Sequence, residues 1–424
     1  MNVTIPPTRF LVPQVRTLEV PRTELVFALG AAIDLLDAGL GAHQKRVAII
    51  AANLARELGP ADGEVARVMQ AGLLHSVGAL SQGSWETHSR TGARFLDISP
   101  LTRGLAPIVA NYREPLARLR ENRTLRASDA LLCQVLNLAD FIDGSIDPAA
   151  FILSQVAARR ADAHAHACAS LDPILADAFL RASDADSFWL DATGIDLDAR
   201  NRARLAGESG AVADIDGLQD FGRLYSVLVD ARSPFTATHS WGVASVASFL
   251  ATRAGFDTFD AMQIEIAAQL HDIGKLAVPS AIIEKPAGLS AAEFGTVRSH
   301  AYHTGTLLER IPGMSHIAHW ASSHHEKLDG TGYPQRRRAD RIPTQARIIA
   351  VADRFVALTE DRPYRAGMPG LRALALLQAD AAHGAIDQSI VNTFNDNFDT
   401  IDAIRRHAQD EERSEVKSVL RAAS

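Results

Sequence analysis

The chain has 424 residues, of which 47% are hydrophobic and 22% charged, and its formal net charge is −7. This composition predicts globular domains with sizeable apolar cores, and the negative charge argues against a general nucleic-acid binder, because phosphate neutralisation needs a basic surface. Aromatic residues make up only 6% of the chain while Ala and Leu are frequent, which favours an all-α fold.

Cysteine usage and the apolar segments indicate the compartment. Cys133 and Cys168 are the only cysteines, so no disulfide framework is predicted and a reducing compartment is expected. The first residues, MNVTIPPTRFLVPQVR, lack the apolar core of a signal peptide. No apolar run approaches the roughly 18 residues that a membrane span needs. We therefore expect a cytoplasmic protein with no membrane partner and no direct nucleic-acid partner.

The first half of the chain carries a histidine-containing helical pattern. A helix beginning at His43 has apolar residues at offsets 4, 7, 8 and 11, which form one face of an α-helix. A second apolar helix, AGLLHSVGAL, reaches His75, which is 32 residues after His43. His88 and Asp140 follow along the same segment. The spacing predicts that these side chains lie on helices whose apolar faces form one bundle.

The same pattern returns in the second half. A helix beginning at His239 has apolar residues at the same offsets, and AAQLHDIGKL reaches His271, again 32 residues later. Further matching positions follow in the same order, pairing His300 with His88, Glu326 with Glu114 and Asp353 with Asp140. Such agreement indicates an internal repeat of two related helical domains.

The repeat divides the chain into five predicted regions. Residues 1–20 form an N-terminal extension and 21–155 the first helical domain. Residues 156–215 are polar and rich in Ala and Asp, which predicts a partly helical connector. The second helical domain spans 216–405, and 406–424 form a charged C-terminal tail.

Two aspartates are predicted on apolar helix faces, where an ionised carboxylate is costly unless a cation compensates it. Asp353 shares its face with Ile349, Val356 and Ala357, and Asp272 follows an apolar helix. Imidazole and carboxylate ligands together suit iron, manganese, zinc or nickel better than calcium. Seven ligands are too many for one tetrahedral ion but suit two adjacent ions, a recurring device for phosphate-ester cleavage. The candidate histidine ligands are His239, His271, His300, His324 and His325.

Four segments of the second domain carry a family resemblance. Together these segments resemble the HD-GYP subfamily of HD-domain phosphohydrolases; they are HDIGK, HHEKLDGTGYP (residues 324–334), VADRF and DRPYR. The resemblance extends over about residues 225–400. It implies two tandem HD-type helical bundles and hydrolysis of cyclic di-GMP to the linear dinucleotide or to GMP. It also implies two or three iron or manganese ions.

The resemblance assigns roles to individual residues. It implies that Lys275 contacts the scissile phosphate and, with Asp272, carries the catalysis. The implied substrate contacts are Lys275, a loop of Gly330, Gly332, Tyr333 and Pro334, and the basic pair Arg362 and Arg365. The implied ligands of the first ion are His239, His271, Asp272 and Asp353, and those of the second are Asp272, His300, His324 and His325.

Two departures from the family pattern refine these expectations. Some members hold a third ion with a glutamate four residues before the first histidine, where this chain has Phe235, so we expect two ions. After Tyr333-Pro334 the chain continues with QRRRADRIP in place of a Gly-Leu segment. The arginines at 336–338 form either a solvated loop or a clamp for the substrate.

The first domain lacks most of the catalytic pattern. Ser76 stands in place of the bridging aspartate, Ala79 in place of the lysine, and Tyr112-Arg113 in place of the histidine pair. We therefore expect a degenerate HD-like domain with a structural or regulatory role, a single bound ion being the alternative. Our hypothesis is that residues 1–155 modulate activity and dimerisation without turning over substrate.

Two alternatives to the cyclic di-GMP phosphodiesterase stay open at this point. One is an HD phosphohydrolase that acts on another cyclic dinucleotide or nucleotide. The other is a signalling or binding module with low turnover. The partners under consideration are a cyclic dinucleotide substrate, a second copy of the chain and signalling proteins.

Overall fold

The computed structural model describes residues 17–35, 42–80, 85–194, 196–206, 212–233, 238–361 and 365–420. Within these ranges the regular structure is helical, apart from isolated bridge residues and a two-stranded sheet of β1 (Val20–Pro21) and β2 (Val212–Ala213). The all-α prediction is therefore confirmed. None of the helices in the described ranges is long and apolar enough to cross a membrane.

The chain divides into two compact units. We call them the N-terminal unit, formed mainly by Pro21–Val212, and the C-terminal unit, formed mainly by Ala213–Val416. The helices of the N-terminal unit are α1 (Arg22–Asp34), α2 (His43–Leu58), α3 (Asp62–Leu74), α4 (Trp85–Ile98), α5 (Ala106–Asn111), α6 (Leu116–Glu121), α7 (Ala127–Ser145), α8 (Ile152–Ser170), α9 (Pro173–Ala182), α10 (Asp186–Thr193) and α11 (Leu197–Leu205), with 3₁₀ helices at Val77–Leu80 and Arg103–Leu105.

Helix α2 is central to the N-terminal unit. It packs against α3 and α7, and also against α9, α10 and α11. Its Val47, Ile50, Ala51 and Leu54, the predicted apolar stripe, are fully buried. The segment 156–215 thus contains helices that pack within the N-terminal unit and contribute to its core.

The C-terminal unit is arranged around α13 in the same way. Helix α13 packs against α14 and α18, while α16 packs against α17 and the 3₁₀ helix at Ile273–Ala277. The helices of this unit are α12 (Ile215–Asp230), α13 (His239–Arg253), α14 (Thr258–Leu270), α15 (Ser280–Ile283), α16 (Ala291–Leu308), α17 (Ser315–Ser322), α18 (Thr344–Thr359), α19 (Gly370–Ala382), α20 (Gln388–Asp396) and α21 (Phe398–Leu420), with a further 3₁₀ helix at Ala339–Arg341.

The internal repeat is visible in the placement of the histidines. His43 and His239 are the first residues of α2 and α13, while His75 and His271 directly follow α3 and α14. In both units the second histidine is followed by a 3₁₀ helix whose glycine lies against a later helix, α4 in the N-terminal unit and α16 in the C-terminal unit. A Cβ atom on Gly78 would lie 1.9 Å from the carbonyl oxygen of His88, and one on Gly274 would lie 2.0 Å from that of His300. Only glycine permits this approach, which packs α4 and α16 directly against the two 3₁₀ turns.

Candidate metal centre

The predicted ligands come together inside the C-terminal unit. His239 begins α13, His271 and Asp272 follow α14, and His300 lies on α16. Helix α16 starts with a capping box formed by Ser290 and Glu293. The remaining ligands are His324 and His325 just after α17, and Asp353 on α18.

Backbone carbonyls orient three of the histidines. Nδ1 of His271, His300 and His324 each lies 2.6 Å from the carbonyl oxygen of the residue three positions earlier. A carbonyl can only accept a hydrogen bond, so Nδ1 carries the proton in each ring. Nε2 of each ring therefore presents its lone pair to the interior of the cluster, as metal-ligating histidines do.

These lone pairs require a cation. Nε2 of His300 and Nε2 of His324 face each other at 3.2 Å, although both act as acceptors. Burial lowers the pKa of His300 to about 4 and holds the pKa of His324 well below its ordinary value, so a proton does not supply the charge at neutral pH. Among the described residues, Nε2 of His271 and Oδ1 of Asp272 are buried without a hydrogen-bond partner. The donor set therefore fits divalent metal ions.

Asp272 lies between two groups of histidines. Its Oδ2 is 3.1 Å from Nε2 of His271 and 3.6 Å from Nε2 of His239. Its Oδ1 is 3.4 Å from Nε2 of His300 and 4.0 Å from Nε2 of His324. Each oxygen faces a different pair of nitrogen atoms, which is the arrangement expected of a carboxylate that bridges two ions.

Both aspartates of the cluster are ionised. Burial raises the pKa of Asp272, but its interactions with His271 and Lys275 outweigh burial and hold the pKa well below the usual range. Burial likewise raises the pKa of Asp353, but the hydrogen bond with His239 and the interaction with His325 outweigh burial and lower the pKa well below the usual range. Asp353 Oδ1 lies 3.1 Å from Nε2 of His239, and Oδ2 lies 3.9 Å from Nδ1 of His325.

A carboxylate outside the predicted ligand set supports His239. Nδ1 of His239 lies 2.8 Å from Oε2 of Glu360, and Oε1 of Glu360 accepts a hydrogen bond of 2.6 Å from Nε2 of Gln409 on α21. A ligating histidine commonly gives its second ring nitrogen to such a carboxylate, which fixes the ring orientation. Glu360 was not predicted as a site residue from the sequence, although it lies seven residues, or about two helical turns, after Asp353.

A cavity of about 510 Å³ opens beside the cluster. Lys275 lines it, and its ammonium contacts Oδ2 of Asp272. Tyr333 also lines the cavity, with its ring centroid 4.7 Å from that of His325. Further cationic side chains in the lining are Lys285, Lys327, Arg354 and Arg365. A volume of this size is in the range of small-molecule sites. Lysines and arginines outnumber the carboxylates of Glu326, Asp353 and Asp380 in the lining, which suits an anionic ligand.

The loop after the histidine pair is held by Glu326. Its carboxylate accepts hydrogen bonds from the backbone N–H groups of Gln335 (2.6 Å) and Arg337 (2.9 Å). Gly330 adopts a φ of 81°, and a Cβ atom on Gly332 would lie 2.3 Å from the backbone nitrogen of Lys327. The glycines thus shape the loop that places Tyr333, while Pro334 follows it through a cis peptide bond.

The predicted basic residues have different surroundings. Arg365 lines the cavity, but its guanidinium donates hydrogen bonds to the backbone oxygens of Ala357 (2.6 Å) and Leu358 (3.1 Å). Arg337 turns inward and donates to Ser323, so it anchors the loop and is neither a solvated arginine nor part of the cavity lining. Two further residues of the sequence analysis, Arg362 and Phe235, lie outside the described residues.

The N-terminal unit brings together a partial copy of this cluster. Nε2 of His43 lies 3.1 Å from Nε2 of His75 and 3.4 Å from Oδ1 of Asp140. Nη2 of Arg113 donates a 2.6 Å hydrogen bond to Oδ2 of Asp140. His88 is not part of the potential ligand group formed by His43, His75 and Asp140.

Comparisons with known proteins agree with this arrangement. One family model described as an HD domain matches residues 223–390, and a second of the same description matches residues 40–144. A Vibrio cholerae protein named 3'3'-cGAMP-specific phosphodiesterase 3 is 44% identical over 163 residues, which cover 38% of this chain and 35% of that protein. A Thermotoga maritima protein named cyclic di-GMP phosphodiesterase is 34% identical over 148 residues, covering 34% of this chain and 40% of that protein. The chain thus matches well under half the length of these relatives.

The fold has a solved counterpart. A crystal structure titled as a cyclic GMP-AMP-specific phosphodiesterase of Vibrio cholerae (V-cGAP3) aligns with a TM-score of 0.60 at 23% identity. The alignment covers 90% of this chain and 98% of that chain. At this identity the likeness concerns the fold alone.

The two matched regions show that the chain carries two HD domains, one in each half. The C-terminal domain also has the segment HHEKLDGTGYP, and its relatives are named cyclic-dinucleotide phosphodiesterases. The chain belongs to the HD-GYP family.

Proposed function

We propose that the C-terminal HD domain is a metal-dependent phosphodiesterase that hydrolyses a cyclic dinucleotide. The observation that carries this proposal is the pair of opposed lone pairs on His300 and His324, next to the two-sided carboxylate of Asp272. This buried cluster demands cations, and it opens on a cavity with a cationic lining. Such a combination suits the cleavage of a phosphate ester.

Two divalent ions, iron or manganese, fit the donor set. His239, His271 and Asp353 would hold one ion, with Asp272 between it and a second ion held by the remaining ligands, His300, His324 and His325. When bound, the ions supply positive charge that polarises the phosphoryl oxygens. Asp272 and Glu360 orient this set, the first by contacting both histidine groups and the second through His239.

Lys275 supplies the site with a positive charge that belongs to the protein itself. Its ammonium lies at the boundary of the cluster and the cavity, where it contacts Asp272 and is 19% exposed. From this place it donates a hydrogen bond to the scissile phosphate and offsets the charge that develops on its oxygens. The cavity walls hold the rest of the substrate, with Tyr333 and Arg365 among the lining residues.

Cyclic di-GMP and 3'3'-cGAMP are the two candidate substrates. The resemblance in the sequence favours cyclic di-GMP, whereas a relative that is 44% identical is named a 3'3'-cGAMP-specific phosphodiesterase. Both molecules are purine cyclic dinucleotides with two phosphodiester groups, so the metal cluster serves either one. Residues of the cavity wall, rather than the metal ligands, would determine the preference between them.

The test uses the full chain, purified without oxygen and loaded with Fe²⁺ or Mn²⁺. We expect two ions per chain and hydrolysis of cyclic di-GMP, 3'3'-cGAMP or both, with the products separated by chromatography. Binding of both dinucleotides without turnover by the metal-loaded protein would instead support a binding module. Turnover restricted to non-cyclic nucleotides would make the protein a different HD phosphohydrolase.

A further inference from the structure

Phe294 is an exposed aromatic residue at the edge of the substrate cavity. It lies in the first turn of α16, is 48% exposed, and belongs to the cavity lining. A single exposed aromatic ring has little meaning by itself. Phe294, however, lines the cavity together with a second ring, that of Tyr333. The two ring centroids are 6.5 Å apart and the ring planes meet at 85°.

Arg298 contacts both of these rings. It lies one helical turn after Phe294, and its guanidinium carbon is 4.8 Å from the ring centroid of Tyr333 and 6.0 Å from that of Phe294. A guanidinium at this distance over a ring is attracted to its π face. Tyr333 in turn packs against His325, so the aromatic pair is joined directly to the metal cluster.

The rest of the nearby wall is apolar. Val278 is buried, and Ile282, Ile283 and Leu289 line the same cavity as Phe294. Lys285, the cation on this segment, is occupied by an ion pair with Glu293 at 2.7 Å. A cyclic dinucleotide would bring its phosphate to the metal cluster, and its uncharged, flat bases would need an apolar surface beside it. The wall around Phe294 has this chemistry.

We propose that Phe294 is the stacking surface for one purine base of the substrate and that Arg298 positions Tyr333 beside it. This inference rests on the proposed function and adds the base-binding subsite to it. Every base has a π face, so stacking on an aromatic ring tolerates different bases. The subsite therefore contributes affinity for guanine and adenine alike, and it does not by itself separate cyclic di-GMP from 3'3'-cGAMP.

The experiment compares variants of the full-length, Mn²⁺-loaded protein by their KM and kcat for both dinucleotides. Phe294→Ala should raise KM by about 5- to 100-fold for each dinucleotide, since one stacked base contributes that much to binding. The value of kcat should stay close to that of the wild type, because Phe294 does not contact the ligand cluster. Phe294→Trp should restore KM, whereas Phe294→Leu, which keeps an apolar side chain without a π face, should not.

Two further variants separate the subsite from a general effect of helix α16. Tyr302→Ala is the matched control, because Tyr302 is 57% exposed on the same helix and does not belong to the cavity lining. Arg298→Ala should raise KM less than Phe294→Ala, with Arg298→Lys in between.

The outcomes of this experiment are distinct. Wild-type KM values for both Phe294→Ala and Phe294→Leu, in protein that hydrolyses a cyclic dinucleotide, would overturn the subsite and leave the proposed function intact. A wild-type protein with two bound ions and no turnover of either dinucleotide would overturn the proposed function and the subsite together.

Discussion

The two HD domains place the same three ligand types in similar positions but neutralise their carboxylates differently. In the N-terminal unit Arg113 pairs with Asp140, and Arg46 pairs with Asp143 at 2.6 Å. Arg113 stands at the sequence position that His325 has in the C-terminal domain. In the C-terminal cluster Lys275 forms an ion pair with Asp272, while Asp353 lies against His239 and His325.

The two clusters also differ in the protonation of their histidines. His75 donates from Nδ1 to the carbonyl of Gly72, so its Nε2 accepts the hydrogen bond from His43. Burial lowers the pKa of His43, but hydrogen bonds with Asp140 and Asp143 outweigh burial and raise the pKa to about 9. The N-terminal cluster is therefore satisfied by a charged histidine and two arginines, while the C-terminal cluster leaves lone pairs without protons. The loss of one aspartate and the gain of one arginine thus favour an ion-pair network over a metal site.

The largest effect is expected from replacing Asp272, the carboxylate that has no counterpart in the N-terminal domain. Asp272→Asn should lose at least one of the two ions, and hydrolysis should fall by several orders of magnitude, because the shared negative charge between the histidine groups is gone. Metal content by mass spectrometry and turnover of the cyclic dinucleotides check this. The same substitution at a carboxylate of the other cluster, Asp140→Asn, should keep both ions and continue to hydrolyse. Two ions per chain and near-normal turnover in Asp272→Asn would contradict the binuclear assignment.

A smaller loss of activity is expected from replacing Lys275, at whose position the N-terminal domain has Ala79. Lys275→Met keeps the apolar stem and removes the ammonium, so both ions should stay bound while kcat falls about 100-fold, as for the loss of one donor to a developing oxyanion. Measurements of metal content and of KM and kcat separate these effects. Loss of metal together with activity would show that Lys275 supports the fold and the cluster instead of the chemistry.

The third prediction concerns the carboxylates behind the first histidine, Glu360 in one domain and Asp143 in the other. Glu360→Gln keeps the shape but removes the charge next to His239, so Mn²⁺ affinity should fall about 10- to 100-fold. Gln409→Leu removes the hydrogen bond to Glu360 and should weaken Mn²⁺ binding less. Titration calorimetry with metal-free protein measures both, and Arg413→Ala, an exposed change on the same helix α21, serves as the control. Wild-type affinity in Glu360→Gln would refute this supporting role.

The sequence predicted the fold class and the repeat because both depend on local periodicity and on motif spacing. Asp272 and Asp353 could be singled out because a carboxylate on an apolar face is costly without a cation. The role of Arg337 could not be predicted, because a run of arginines in a loop carries no signal of which one turns inward to Ser323. Phe294 was missed for a related reason: its meaning depends on packing against Tyr333, which lies 39 residues away.

The smallest expected effect concerns the arginine that takes the place of a histidine in the N-terminal domain. Arg113→Ala leaves Asp140 without its 2.6 Å partner, and the side chain of Asp140 is only 13% exposed. The side chain of Arg113 is itself 37% exposed, so solvent screens the pair. We therefore expect a loss of about 1–2 kcal/mol in the free energy of unfolding of the N-terminal unit, with hydrolysis continuing.

Hydrogen exchange of the α7 amides, together with urea unfolding of the full chain, measures this loss. Arg103→Ala is the matched control, because Arg103 and Asp97 form an ion pair in the same unit with side chains that are 59% and 64% exposed. Such an exposed pair contributes little, so its removal should leave the exchange of α7 unchanged. If Arg113→Ala behaved like Arg103→Ala, the guanidinium would not be what neutralises Asp140. Uptake of a divalent ion by the wild-type N-terminal cluster would then become the better account of how its carboxylates are compensated, since Asp140 shares its potential ligand group with His43 and His75.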